Sequence, residues 1–145
     1  MKFRKEIVAM DAYKTAKQAR CDVMVASNEN NYGPSEKVLQ AVKNIPRERL
    51  LRYPDPLATK LCQALSLYAA VPAENIVCFS GGDEAIRNIL GLFLEKGKKL
   101  LGHYPTFAMY PIGAAFYGCE YDGVRLTQEF EFTEEQKNEL IKKIG

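Results

Sequence analysis

Residues 76–94 read Ile-Val-Cys-Phe-Ser-Gly-Gly-Asp-Glu-Ala-Ile-Arg-Asn-Ile-Leu-Gly-Leu-Phe-Leu, and they restrict the possible folds more than any other stretch. Ile76 to Phe79 is a continuous apolar run, too short for a helix and rich in β-formers, so it predicts a buried strand. Ser80-Gly81-Gly82 breaks the run. From Asp83 onward, Ile86, Ile89, Leu90 and Phe93 fall on one side of a helix. Asp83 and Glu84 sit in its first turn, where the helix dipole favours negative charge. A strand that ends in glycines and feeds a helix leaves backbone N–H groups unpaired and pointing one way. That is an anion site, and phosphate is its usual occupant. A plain tight bend would satisfy the same residues, because the glycines match neither a Walker loop nor the spaced dinucleotide fingerprint.

Composition narrows the function classes. The 145 residues suffice for one domain with a core, and 47% hydrophobic with 26% charged residues is ordinary for a globular protein. A net charge of +2 with no basic run gives no reason to expect nucleic acid. No apolar stretch approaches the roughly 20 residues of a membrane span. Met1-Lys2-Phe3-Arg4-Lys5 is basic but runs into Glu6 and Asp11 without a signal peptide's apolar region, so a cytoplasmic location is expected. Cys21, Cys62, Cys78 and Cys119 lack metal-ligand spacing and His103 is the only histidine, so no metal site is expected. Cys62 and Cys78 lie in apolar segments and read as core thiols.

Taken in order, residues 7–20 are weakly helical, and 22–26 form a short strand candidate. Ser27-Asn28-Glu29-Asn30-Asn31-Tyr32-Gly33-Pro34 is a polar loop dense in turn formers. A helix over 35–43 follows, with Val38, Leu39 and Val42 on one side. Leu51 to Pro56 is extended and stiffened by proline; Asp55 can cap the next helix, with Pro56 in its first position. That helix reaches Ala69, with Leu57, Leu61, Ala64, Leu65 and Tyr68 as its apolar stripe. After Gly97 come a strand over 98–102, a helix from Thr106 to Gly118 and a strand over 119–124. A last helix over 133–144 opens with a capping box, Thr133 with Gln136. From Ile76 onward strands and helices alternate, the pattern of an α/β domain with a parallel sheet.

Four stretches occur together in one family: residues 27–34, Tyr53-Pro54-Asp55, Gly81-Gly82-Asp83-Glu84, and Pro105-Thr106-Phe107-Ala108-Met109-Tyr110. Their order and spacing resemble those of histidinol-phosphate aminotransferases, pyridoxal-phosphate enzymes of the aspartate-aminotransferase fold. The resemblance covers roughly residues 23–126. It implies pyridoxal 5'-phosphate as cofactor, with its phosphate held at the amides of Gly82 and Asp83 beside Gly81. Phe107 would stack on the pyridine ring, and Tyr53 would reach the phosphate of a neighbouring subunit's coenzyme, which implies a homodimer. Asn28, Glu29 and Asn30, with Tyr32 nearby, would line the substrate side. Core packing for Phe107 and a plain surface ring for Tyr53 are the structural alternatives. Two positions depart from the family pattern. Asn31 stands where proline is common, which could loosen the loop, and Gly82 stands where serine or alanine is common, which removes a hydroxyl contact.

The resemblance also implies what is missing. Family members are more than twice this length, and the later motifs that carry the Schiff-base lysine and the pyridine- and carboxylate-binding residues have no counterpart here. The expectation is therefore the N-terminal portion of a PLP-dependent transferase fold with an incomplete central sheet, inactive by itself. Residues 1–50 would form an arm and part of a small domain, and 51–145 the first part of the large cofactor-binding domain. The expected partners are a second copy, as an alternative a missing C-terminal half, and a small amino donor with a 2-oxo acid. L-Histidinol phosphate and 2-oxoglutarate, in histidine biosynthesis, are the nearest substrates. An aromatic aminotransferase and a threonine-phosphate decarboxylase are the rivals within the family. Outside it stand a non-catalytic remnant or assembly partner, and an unrelated α/β protein that binds a phosphorylated ligand.

Overall fold

The computed structural model describes residues 2–12, 22–25 and 27–144. Two compact units make up the chain: Met1–Ala12 with Phe79–Gly145, and Tyr13–Cys78.

The first unit is built on a parallel strand pair, β1 (Lys99–Tyr104) and β2 (Glu120–Arg125), in register from Lys99 opposite Glu120 to Tyr104 opposite Arg125. Parallel strands need a crossover, and α6 (Met109–Phe116) supplies it and packs on both strands. Pro111 is tolerated in α6 because it lies in the first turn, where an N–H has no intrahelical acceptor. α5 (Gly82–Phe93) packs on α6, and α7 (Glu134–Lys142) packs on β2. Leu90 of α5 fills the space over Gly113, so a Cβ there would collide with Leu90 Cδ1. Leu90, Ala114, Cys119 and Val124 are the buried apolar residues of this unit. The capping box forms as the sequence predicts, with Thr133 and Gln136 bonding reciprocally at the start of α7.

Two glycines face each other in the sheet, Gly102 opposite Gly123. The Tyr121 ring occupies the side-chain space of Gly102, and its hydroxyl donates to the His103 carbonyl at 2.8 Å. Tyr104 meets Tyr121 edge to face, with centroids 5.3 Å apart. A Cβ on Gly123 would lie 2.6 Å from the Gly102 carbonyl oxygen, which is backbone and cannot swing aside.

The N-terminal arm belongs to the same unit. Its one helix among the described residues, α1 (Lys5–Val8), packs on α6. Arg4 lies 4.9 Å above the Phe116 ring centroid and donates to the Phe116 carbonyl at 3.1 Å. Glu6 pairs with Lys96, and that ammonium group holds the Glu6 carboxyl below the usual carboxylate range. Of the helix expected over 7–20, the described residues show only Ile7 and Val8 as helical, with 9–12 outside a helix, and residues 13–21 lie outside the described residues.

The second unit contains α2 (Glu36–Lys43), α3 (Arg47–Leu51) and α4 (Thr59–Ala69), the last packed on a 3-10 turn at Ala73–Asn75. The sequence reading missed α3, whose five residues are too few to show a period. It also started α4 too early. Pro56 lies in a turn before the helix, and Asp55 builds that turn by accepting from the N–H groups of Leu57 at 3.0 Å and Thr59 at 2.8 Å.

Neither strand expected ahead of Ser80 is paired. Residues 76–79 and 22–25 lie in no sheet, and Ala26 is outside the described residues. A strand exists only by its neighbours, and the described residues offer these segments none; this is the incomplete central sheet. The same lack of cover shows on the helices. Leu90 is buried, but Ile89 and Phe93 on the same predicted stripe are exposed. On α4, Cys62 is buried while Leu61 and Tyr68 face solvent, as does Leu57 in the turn before the helix. Val38, Leu39 and Val42 of α2 are likewise exposed. Amphipathic stripes without a covering layer are what a partial fold leaves behind.

Candidate functional site

The glycine turn is built as an open helix N-terminus. Gly81 has φ +101 and ψ 169, a conformation that L side chains rarely adopt, and it turns the chain from the extended segment into α5. Its carbonyl accepts the first helical bond, from Ala85 N–H at 3.3 Å. No side chain caps the helix. Glu84 folds back but accepts from the Ser80 N–H at 2.5 Å, one residue upstream of the cap. Among the described residues, the N–H groups of Gly82, Asp83 and Glu84 therefore have no acceptor. A Cβ at Gly81 or Gly82 would meet nothing within 4 Å, so a ligand oxygen can approach the backbone there. Asp83 and Glu84 already answer the helix dipole, so an anion here is held by directed N–H donors more than by net positive charge.

Phe107 lies just before α6 and is 56% exposed. Its carbonyl accepts from the Tyr110 N–H at 3.1 Å, and its ring meets Tyr110 edge to face with centroids 6.4 Å apart. The ring is accordingly held by its edge contact and backbone turn, and it is not a core residue. An apolar ring so exposed is free to take a flat partner.

In the second unit the loop over 27–34 is tied by its own asparagines. Asn30 accepts from the Tyr32 N–H at 3.0 Å and donates to the Gly33 carbonyl at 2.9 Å. Asn31 donates to the Met24 carbonyl at 2.6 Å and accepts from the Met24 N–H at 3.2 Å. Its carboxamide thus stands in for a neighbouring strand. The expectation that asparagine in place of proline would loosen the loop is overturned: Asn31 is the residue that fastens it. Asn28 sits at φ 53, and the Tyr32 ring is fully exposed. Asn28, Glu29 and Tyr32 make no side-chain hydrogen bond to described residues.

Tyr53 is also fully exposed. It borders a cleft of about 680 Å³ lined by Arg49, Arg52, Pro54, Asp55 and Lys60 among others. Glu48 also lines it, so three cationic side chains are set against two carboxylates and the cleft is only weakly positive. The Asp55 carboxyl is held below its ordinary range, first by the Thr59 hydroxyl and then by the backbone N–H groups of Thr59 and Leu57.

Of the residues singled out from sequence, Gly81, Gly82, Asp83 and Phe107 thus belong to one unit, and Asn28, Glu29, Asn30, Tyr32 and Tyr53 to the other. Asn31 was singled out only as a departure from the family pattern, and the charged rim around Tyr53 was not singled out. The signal for the rim was present, since Arg49, Arg52 and Lys60 flank Tyr53 in the sequence. Among the described residues no helix is long and apolar enough to cross a membrane, and no group of three or more His, Cys, Asp or Glu could hold a metal ion.

The family model described as aminotransferase class I and II matches residues 22–144. A histidinol-phosphate aminotransferase of Roseiflexus castenholzii is 37% identical over 126 residues, which is 85% of this chain and 34% of that protein. One from a Hydrogenobaculum species is 36% identical over 145 residues, 97% of this chain and 40% of that protein. The crystal structure of histidinol-phosphate aminotransferase from Sinorhizobium meliloti in complex with pyridoxal-5'-phosphate superposes with a TM-score of 0.66 at 24% identity, covering 71% of this chain and 28% of that one. The chain spans about a third to two-fifths of the length of the curated relatives it matches.

Proposed function

The chain belongs to the aminotransferase class I and II family, whose coenzyme is pyridoxal phosphate, and from that premise we propose that it is the N-terminal, phosphate-cradling part of an aminotransferase acting on L-histidinol phosphate and 2-oxoglutarate. What carries the reading is the run of three N–H groups without acceptors at Gly82, Asp83 and Glu84, presented by a left-handed glycine. These donors fit a phosphate monoester. Phe107 would take one face of the pyridine ring. When bound, the coenzyme supplies an electron sink for moving an amino group between carbon skeletons. The chain's own contribution is to bind the phosphate end and hold the ring in orientation.

In the same reading, residues 1–50 form an arm and part of a small domain and 51–145 begin the cofactor-binding domain. Tyr53, with its charged surroundings, reaches the coenzyme phosphate of a second copy in a homodimer. Asn28, Glu29 and Asn30, with Tyr32 nearby, line the substrate side, and Asn30 also shapes the loop that carries them. The protein works in the cytoplasm. Turnover requires the motifs of the complete subunit, so this chain alone binds coenzyme without transaminating.

The test compares pyridoxal phosphate with pyridoxal by titration calorimetry. Binding is expected for the phosphorylated form only. Gly82→Pro removes one donor at the first helical position, where proline is tolerated. Losing one hydrogen bond to a charged group should weaken binding by about tenfold or more while leaving the helical circular dichroism unchanged. Equal affinity for both compounds, or no effect of Gly82→Pro, would overturn the cradle. A stable lysine adduct after borohydride reduction would overturn the view that this chain does not act alone.

A further inference from the structure

Among the described residues, Cys62 and Cys78 are a close pair of thiols that the proposed site does not use. Their sulfurs lie 3.7 Å apart. Cys62 is buried in the first turn of α4, and Cys78 is half-buried in the unpaired extended segment. Cys62 is further enclosed by the carbonyls of Leu57 and Ile76, each 3.5 Å from its sulfur. Burial first, and the neighbouring Cys78 thiol second, push the Cys62 thiol up from its ordinary range. A cleft of about 440 Å³, lined by Leu57, Thr59, Gln63, Val77 and the two cysteines, opens onto the pair. The sequence reading of both as core thiols thus fits Cys62 better than Cys78.

From this arrangement we propose that Cys62 and Cys78 form a redox-sensitive dithiol, which low-molecular-weight disulfides convert reversibly to an intramolecular disulfide. Cys78 faces the cleft and reacts first. Its thiolate attacks one sulfur of the small disulfide, forming a mixed disulfide and releasing a thiolate that takes up the proton Cys78 gave away. Cys62 then attacks the Cys78 sulfur and the second small thiol leaves, carrying the proton from Cys62. Two cysteine thiols are oxidised and one small disulfide is reduced to two thiols. The sulfurs must close from 3.7 Å to about 2.05 Å. Side-chain rotation can supply this, because the Cys78 segment has no strand neighbour among the described residues holding it in place. Nothing in this chemistry requires the coenzyme.

The experiment exposes the whole chain to oxidised glutathione in native buffer and in concentrated urea, then maps peptides by mass spectrometry. The expected product has lost two hydrogens, carries a Cys62–Cys78 cross-link that dithiothreitol reverses, and forms at least tenfold faster in native buffer. Cys62→Ala should instead stop at a glutathione adduct on Cys78, and Cys62→Ser provides the same readout should the alanine variant fail to fold. Separate adducts on both cysteines of the unsubstituted chain would overturn the proposal. So would a cross-link forming at equal rates in buffer and urea, or cross-links to Cys21 or Cys119 in place of the pair.

Discussion

The two units solve the same backbone problem differently. In the first, left-handed positions fall on Gly81, Gly97 and Gly118, with Phe130 the one exception among the described residues. In the second, they fall on Ser27, Asn28, Ala58 and Ala70, with Gly33 alone a glycine. A left-handed conformation costs a residue with a Cβ roughly 1–2 kcal/mol and glycine almost nothing. Among the described residues, the first unit also holds the buried apolar side chains Leu90, Ala114, Cys119 and Val124, while the second holds Cys62 alone. One unit is thus fixed by long-range strand pairing and a packed helix. The other is fixed by local devices: the Asn30 turn, the Asn31 bridge and the Asp55 turn. Strain is carried where the packing is thinnest, so the second unit depends more on what covers it.

Deleting packing should separate the units most sharply. Leu90→Ala opens a cavity between α5 and α6 and should cost about 2–5 kcal/mol, seen as lost amide-exchange protection in β1 and β2. Leu67→Ala removes a side chain that is 88% exposed and should change stability by under about 0.5 kcal/mol. Equal effects would erase the contrast. Gly123→Ala comes next. Its Cβ would meet backbone at 2.6 Å, and forced overpacking should cost about 1–3 kcal/mol, again read in β1 and β2. In the second unit a substitution should help. Ala70→Gly relieves the left-handed end of α4 and should gain roughly 1 kcal/mol, measured as a higher midpoint of helix melting. A loss there would mean that Ala70 is not strained.

The smallest expected effect is a difference in salt response. Asp122 and Asp55 both have carboxyls held low. Asp122 is lowered chiefly by the Lys143 ammonium group, and Asp55 chiefly by the Thr59 hydroxyl and nearby backbone N–H groups. Because both folded values lie below the unfolded one, each contribution is present above about pH 3.9 and is lost as pH falls through the folded value. At 1 M salt, where the screening length is about 3 Å, the acid loss tied to Asp122 should shrink and that tied to Asp55 should persist. Acid titrations of Asp122→Asn and Asp55→Asn at two salt concentrations check this.

The parts of the fold legible in the sequence were those set by near neighbours. The capping box at Thr133, the helix from the glycine turn and the alternation over 99–125 all follow from residues a few positions apart. What was not legible depends on distant partners. Ile76–Phe79 has the composition of a strand, but composition cannot say whether a neighbouring strand exists. Arg4 meets Phe116 across 112 residues and Glu6 meets Lys96 across 90, so no local pattern announces either pair. For the candidate site, the glycine turn could be read because helix N-termini bind anions through local geometry. Asn31 was misjudged because proline and asparagine restrain a loop by different means, one by its ring and the other by two hydrogen bonds.

The glycine pair in the sheet sets an order on how this sequence can change. Gly102 gives up its side-chain space to Tyr121, a flexible obstacle, whereas Gly123 abuts a main-chain carbonyl. A larger residue at position 102 is accommodated more easily once Tyr121 has been replaced by something smaller. The reverse order passes through a form in which the Tyr121 ring must be pushed aside. Position 123 has no such preparatory step, since no substitution elsewhere removes a peptide carbonyl. Of two glycines that look interchangeable along the chain, one is conditionally replaceable and the other is fixed for as long as the strands stay paired.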